Sequence, residues 1–358
     1  MKNILMSTAA LAGLAFIAAA PARADEPALQ LGLGGYISGY AVYTDQDETA
    51  GVENKKFDLR KDTEVHLNGE VALDNGITAG AHLELLMDRG DDQTVEESYL
   101  YLSSSWGRVN LGEEDGIAYL LQVGAPSADD KIDGIRPDIG TFTALNGGTL
   151  DYAQDPFGYS NKLTYITPVF NGFQAGVSFT PTLTGADANA NGIAGAAVSN
   201  NPGELENGWE VAARYEGSFD AIDLALGAGY SSADLEEELA GSDDFDQWNV
   251  GANLGWGAFG IGAIYLDSEG GAAAADVESD TWVAGIDYTT GPYKIGASYL
   301  NTETEAGGVT TADADRWTAG AIYEWGPGMT FRGAVQFQDN DTTDSDGTQV
   351  TLGTQLEF

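Results

Sequence analysis

The sequence predicts an all-β fold, a sixteen-stranded antiparallel transmembrane β-barrel. Three observations lead there. Short segments alternate apolar and polar residues with a period of two, tight turns alternate with long polar connections, and the chain ends on an alternating strand that finishes in an aromatic residue. After the first 25 residues no stretch is apolar for 18 residues or more, so no membrane helix is expected. A barrel strand escapes that test, because only every second residue meets lipid.

The alternation is plain in residues 317–323, where Trp317, Ala319, Ala321 and Tyr323 share one parity. In residues 329–337, Phe331, Val335 and Phe337 share one face and Thr330, Arg332 and Gln336 the other. Many of the 48 glycines fall inside such segments, which suits a curved, closely packed wall and argues against helices.

Tight turns are expected at Asp74-Asn75-Gly76, Ser105-Trp106-Gly107, Phe170-Asn171-Gly172, residues 217–220, Gly255-Trp256-Gly257, Thr290-Gly291-Pro292 and Gly326-Pro327-Gly328. Between them lie longer polar segments near 44–56, 89–94, 115–160, 181–207, 232–245, 268–277, 302–313 and 339–346. Seven turns and eight loops make fifteen connections and so sixteen strands. They are placed near 29–43, 57–73, 77–88, 95–104, 108–114, 161–168, 173–180, 208–216, 221–231, 246–254, 258–267, 278–289, 293–301, 314–325, 329–338 and 347–358. The last runs Val350, Leu352, Leu356 and Phe358 along one face and ends beside the first strand, closing the barrel without an open edge.

A soluble sandwich or propeller also has many short strands. Against it, Trp209, Trp282, Tyr288, Trp317 and Tyr323 lie near strand ends on the outward parity, as an interfacial girdle would. The opposite parity is glycine, polar or charged, and makes a poor soluble core.

Residues 1–24 read as a cleaved signal peptide: Lys2 gives the positive start, Leu11 to Ala20 a short apolar core, and Ala22-Arg23-Ala24 the small residues of a cleavage site. Residues 25–358 then form one barrel domain. Cysteine is absent, so disulfides contribute nothing to stability. Asp and Glu number 56 against 15 Lys and Arg, and the net charge is −41. Such a surface repels nucleic acid and attracts cations. With 7 Trp, 16 Tyr and 13 Phe the acidity is not that of a disordered chain.

Four stretches resemble the general outer-membrane porins of Gram-negative bacteria, in style the alphaproteobacterial ones. They are Leu31-Gly-Leu-Gly-Gly-Tyr36-Ile-Ser-Gly-Tyr40, Tyr99-Leu-Tyr-Leu with Gly107-Arg-Val-Asn-Leu-Gly112, residues 161–176, and the terminal Phe358. The resemblance implies a homotrimer of barrels in the outer membrane, in contact with its lipid and lipopolysaccharide. It also implies assembly through the barrel-assembly machinery at Phe358, and a third long loop, here 115–160, folded inward to narrow the pore.

If the apolar parity faces lipid, Arg60, Arg108, Lys162, Arg214, Lys294, Arg316 and Arg332 fall on the inward parity. Most of that bias is exclusion, since a cation on the lipid face at mid-depth costs about 2–4 kcal/mol. A narrower reading takes Arg60, Arg108 and Lys162 as a basic wall at a constriction. Its acidic counterpart is Glu113, Glu114, Asp115, Asp129, Asp130, Asp133 and Asp138, with Asp151 and Asp155 in the same loop. The field between the two would orient dipolar solutes, and the excess of carboxylates predicts cation preference. The family often carries a denser arginine cluster than this chain does, which favours a pore negative throughout.

No catalytic, cofactor or metal site is expected. Asp187-Ala-Asn189-Ala-Asn191-Gly192 opens like a calcium loop, but Val198 stands where the acid is needed. Weak calcium binding at the acidic loops is the most this suggests. His66 and His82, on the inward parity of adjacent strands, are too few for a structural zinc site. Passive diffusion of small hydrophilic solutes and ions is the leading function. A substrate-selective channel and a structural or surface-interaction barrel of little conductance are the alternatives.

Overall fold

A computed structural model describes residues 16–17, 29–47, 54–87, 95–139, 142, 150–183, 204–237, 243–271 and 277–358. Its strands are β1 (Gln30–Gln46), β2 (Phe57–Ala72), β3 (Thr78–Leu86), β4 (Val95–Ser104), β5 (Gly107–Glu113), β6 (Asn161–Ile166), β7 (Phe173–Thr182) and β8 (Leu205–Phe219). The second half supplies β9 (Ile222–Leu235), β10 (Asp243–Trp256), β11 (Phe259–Gly271), β12 (Val277–Thr290), β13 (Tyr293–Ala306), β14 (Val309–Gly326), β15 (Met329–Asn340) and β16 (Ser345–Glu357). Each pairs antiparallel with its neighbours in sequence, and β16 pairs with β1. The sheet is therefore a closed sixteen-stranded barrel, as the alternation predicts. Gly35 N donates to Phe358 O at 3.1 Å and Phe358 N to Gly35 O at 3.0 Å, so the seam holds to the last residue. Phe16–Ile17 also pairs with Leu31–Gly32; the rest of the expected signal peptide lies outside the described residues.

The two faces of the wall differ as the parity predicts. Leu352 is 67% exposed while its neighbour Thr351 is 1% exposed. Leu226 and Tyr230 are exposed on β9, and Ala225 and Ser231 of the other parity are buried. Aromatic rings form two rows on the apolar face. Toward the long connections run Trp248, Tyr265 and Trp282, then Tyr299 and Trp317. Toward the tight turns run Phe259 and Tyr288, Tyr293 and Tyr323, then Trp325 and Phe331. On β14, Trp317 and Trp325 are eight residues apart, about 27 Å along the strand.

Two of the expected long loops are largely strand. β13 and β14 run on to Ala306 and Val309, joined only by Gly307 and Gly308 at φ of 59° and 74°. β15 and β16 likewise extend to Asn340 and Ser345. The correction has a simple cause. Residues 302–313 are polar on both faces, which suits a ladder standing in water as well as it suits a loop. The calcium-like stretch 187–192 lies outside the described residues.

Gly35 sits at φ +148°, and a Cβ there would collide with the Glu64 carbonyl oxygen, whereas a Cβ on Gly39 would meet nothing within 4 Å. Gly35→Ala is expected to cost about 1–3 kcal/mol, read as a lower urea midpoint of the folded barrel, and Gly39→Ala to leave it unchanged.

Candidate functional site

The connection between β5 and β6 is the longest expected loop, and its described residues hold two single-turn helices, α1 (Ile117–Leu120) and α2 (Asp130–Asp133). Asp129 caps α2, accepting from Lys131 N at 3.2 Å. The connection lies against the polar face of the wall. The Ile117 N–H donates to Ser178 Oγ of β7 at 3.0 Å, and Gln154 Nε2 to Ser231 Oγ of β9 at 2.9 Å. Asn253 Nδ2 of β10 donates to Gly124 O at 2.6 Å, and Ser298 Oγ of β13 to Asp133 Oδ2 at 2.6 Å. Arg316 of β14 donates to Leu150 O, and Tyr40 Oη of β1 to Asp129 Oδ2 at 3.0 Å.

Wall glycines make room for this path. A Cβ on Gly251 would collide with Val123, on Gly285 with Pro126, and on Gly296 with Ala128. The backbone of residues 123–128 thus runs in van der Waals contact with β10, β12 and β13, which only a missing side chain permits. Side chains close the gap beside it: Ala125, Leu150 and Tyr152 pack with Ile264, Leu266, Val283, Leu300 and Ala314 of the wall.

Three cation clusters fasten the connection. Arg136 NH2 meets Asp115 Oδ1 at 2.9 Å and Asp155 Oδ2 at 2.5 Å, with its guanidinium 4.1 Å from the Tyr119 ring centroid. Lys131 Nζ meets Asp62 Oδ2 of β2 at 2.8 Å and Asp138 Oδ2 at 2.7 Å, and donates to Tyr36 Oη. Arg332 NH1 of β15 meets Asp129 Oδ1 at 2.7 Å and Asp130 Oδ1 at 3.1 Å.

These placements revise the expected constellation. Lys162 does not line a basic wall: it is 1% exposed, and its Nζ donates to the carbonyls of Glu114, Gly158 and Ser160. It ties the two roots of the connection together, because β6 begins where the chain returns. Arg108 donates to Asn110 Oδ1 at 2.6 Å and lies 3.9 Å over the Tyr101 ring, while Arg60 stands 3.6 Å from Asp58. Neither meets an acid of the connection in these contacts. Glu113 ends β5 on the parity of Val109 and Leu111, away from the other acids. Glu114 accepts from Asn110 Nδ2 at 2.7 Å, and Asp115, Asp129 and Asp133 are buried. Asp130 and Asp138 keep side-chain exposures of 61% and 35%. The expected reading missed Arg332 and Arg136 as partners. Arg332 carried a signal, its inward parity, but its partner stands 203 residues away.

Burial raises the carboxyls of Glu114, Asp115, Asp129 and Asp133 above their usual range, against the pull of the nearby cations. Asp155 is pushed up to about 7 by burial first and then by Asp115.

Comparison with known proteins decides the family. The family model for Gram-negative porins matches residues 7–343. The chain is a Gram-negative porin. An outer-membrane porin protein of Bordetella pertussis is 25% identical over 230 residues, which cover 58% of this chain. The match spans only 55% of that relative's length. An anion-selective porin from Comamonas acidovorans superposes with a TM-score of 0.64 at 17% identity, over 92% of this porin and 100% of that chain. OmpT of Vibrio cholerae, in a trimer form, gives 0.63 at 12% identity, over 92% and 100%. Both show the same barrel. Family and fold together place this porin in the outer membrane, so its apolar face meets lipid.

Two predictions follow from these positions. Leu226 lies midway between Ile222 and Tyr230 on the apolar face of β9, so Leu226→Arg is expected to lower stability in lipid vesicles by about 2–4 kcal/mol, read by urea unfolding. The second concerns Asp155. With an ordinary value of 3.8 and a folded one of about 7, it takes up a proton on folding between those pH values. Its stabilisation is full below the lower value and lost as pH rises through the higher. Protease protection of residues 114–160 should fall between about pH 4 and 7. Asp155→Asn should flatten that slope; an unchanged slope assigns the titration elsewhere.

Proposed function

We propose that this porin is a water-filled channel for passive diffusion of small hydrophilic solutes and ions, with the described residues of the β5–β6 connection, 114–139 and 150–160, folded into the lumen as its constriction. One observation carries the reading. A single connection makes hydrogen bonds to the polar face of β1, β7, β9, β10, β13 and β14, on all sides of a closed ring. One segment reaches all of those strands only from inside the ring. Dipolar side chains with water between them then line the narrowest passage, which admits polar solutes and disfavours apolar ones.

Cation preference is part of the proposal. It is supported by the net charge of −41 and by Asp130 and Asp138, the solvent-exposed acids of the connection's clusters. The Comamonas porin's selectivity does not transfer, because its identity of 17% speaks for the fold alone. Export behind residues 1–24, assembly as a homotrimer, and contact with lipopolysaccharide and the barrel-assembly machinery belong to the same reading.

Planar-bilayer recording tests it. A large conductance that does not saturate, with a zero-current potential of cation sign in a salt gradient, is the expected result. Saturation by one solute would make the channel substrate-selective. No conductance would leave a barrel plugged by its own connection, a reading the breadth of these contacts supports next best. Deleting residues 125–150 should raise conductance severalfold; an unchanged value removes the connection from the constriction.

A further inference from the structure

His66 and His82 stand beside glutamates on the polar face of β2, β3 and β4. The register pairs His66 with Glu84, Asn68 with His82, and Glu84 with Glu97. A register shift between Glu84 and Leu85 marks a bulge that adds Glu96 to the same neighbourhood. His66 Nδ1 lies 3.2 Å from Glu84 Oε2. His82 Nε2 lies 3.7 Å from that same oxygen and 3.5 Å from Glu97 Oε2. The geometry points to a site for one divalent transition-metal ion of the Zn2+ class, held by His66, His82 and Glu84, whose donor atoms all lie within 4.8 Å of one another, with water completing the shell.

Three features carry this. The first is spacing: metal–ligand bonds of about 2.0–2.1 Å at tetrahedral angles put neighbouring donors about 3.3–3.4 Å apart. The two ring nitrogens stand 3.2 and 3.7 Å from the same Glu84 oxygen, either side of that edge.

The second is the partner of each remaining ring nitrogen. His66 Nε2 lies 2.8 Å from Glu64 Oε1, and His82 Nδ1 lies 2.7 Å from Asn68 Oδ1. An amide oxygen only accepts, so Nδ1 of His82 donates to it and Nε2 is the nitrogen that faces Glu84. A histidine ligand whose other nitrogen donates to a carboxylate or carbonyl is held in the metal-binding tautomer.

The third is charge. Glu64, Glu84 and Glu96 cluster beside the two imidazoles, and a bound dication takes the place of ring protons as their counter-charge. Mixed imidazole and carboxylate donors suit Zn2+, Cu2+ or Ni2+ and not the all-oxygen preference of Ca2+ or Mg2+. The site adjoins the root of the long connection, since Glu97 Oε1 accepts from Asp115 N at 3.0 Å.

Equilibrium dialysis of the refolded, detergent-solubilised protein against Zn2+ tests the site. One ion per chain, retained in excess Ca2+, is expected. His82→Gln and Glu84→Gln should weaken retention about tenfold or more, and Asn68→Ala about 10–100-fold through loss of the tautomer lock. Co2+ bound to the unaltered protein gives a readout that needs no variant. Intense visible absorption of four- or five-coordinate cobalt supports the site; the weak octahedral spectrum overturns it. It is equally overturned by no retained Zn2+, or by retention that folded His82→Gln and Glu84→Gln proteins leave unchanged.

Discussion

Hydrocarbon offers no partner to a peptide N–H or C=O, and that constraint governs the molecule. Each unpaired group in lipid costs several kcal/mol, so the sheet must close on itself. Closure fixes the even strand count, the β16–β1 seam and the reciprocal Gly35–Phe358 bonds that carry it to the last residue. Closure also gives the wall two environments, and the period-two pattern is their imprint. Leucine, isoleucine and tryptophan outside, glutamine, threonine and arginine inside, are what a sheet between acyl chains and water has to display.

The second constraint is steric. A long connection that crosses the polar face needs somewhere to lie, and glycines on β10, β12 and β13 supply it. They are better explained by the backbone of residues 123–128 than by wall curvature alone. The wall and the connection are thus matched over distances no local rule spans: Gly285 belongs to Pro126, and Ser298 to Asp133.

That divides what the sequence discloses from what it conceals. All sixteen strands were legible because lipid acts on every residue by the same local rule, so Trp317 and Tyr323 announce their face unaided. The β13–β14 hairpin carries its signal in the sequence, a Gly307-Gly308 pair, but polarity on both faces of the flanking residues looks the same in a loop as in a ladder standing in water. The function of Lys162 was not legible: whether a lysine meets water or three carbonyls depends on where a connection of more than forty residues returns. The union of His66, His82 and Glu84 needed the register of β2 against β3, which composition does not reveal.

The charge pattern of the connection bears on selectivity. Arg136 holds Asp115 and Asp155, Lys131 holds Asp62 and Asp138, and Arg332 holds Asp129 and Asp130. Each cluster has one cation for two carboxylates. It therefore either keeps a negative charge or takes up a proton, and the raised carboxyls of Asp115, Asp129 and Asp155 show burial pressing toward the proton. With one carboxyl protonated such a cluster is neutral, and with both ionised it is negative. The arginines and lysine nearest the connection are consumed in fastening it, and the carboxylates left facing solvent are Asp130 and Asp138. A transverse field from a basic wall is then not required. The cation preference proposed above rests instead on Coulomb attraction by these acids, should the connection narrow the passage as proposed.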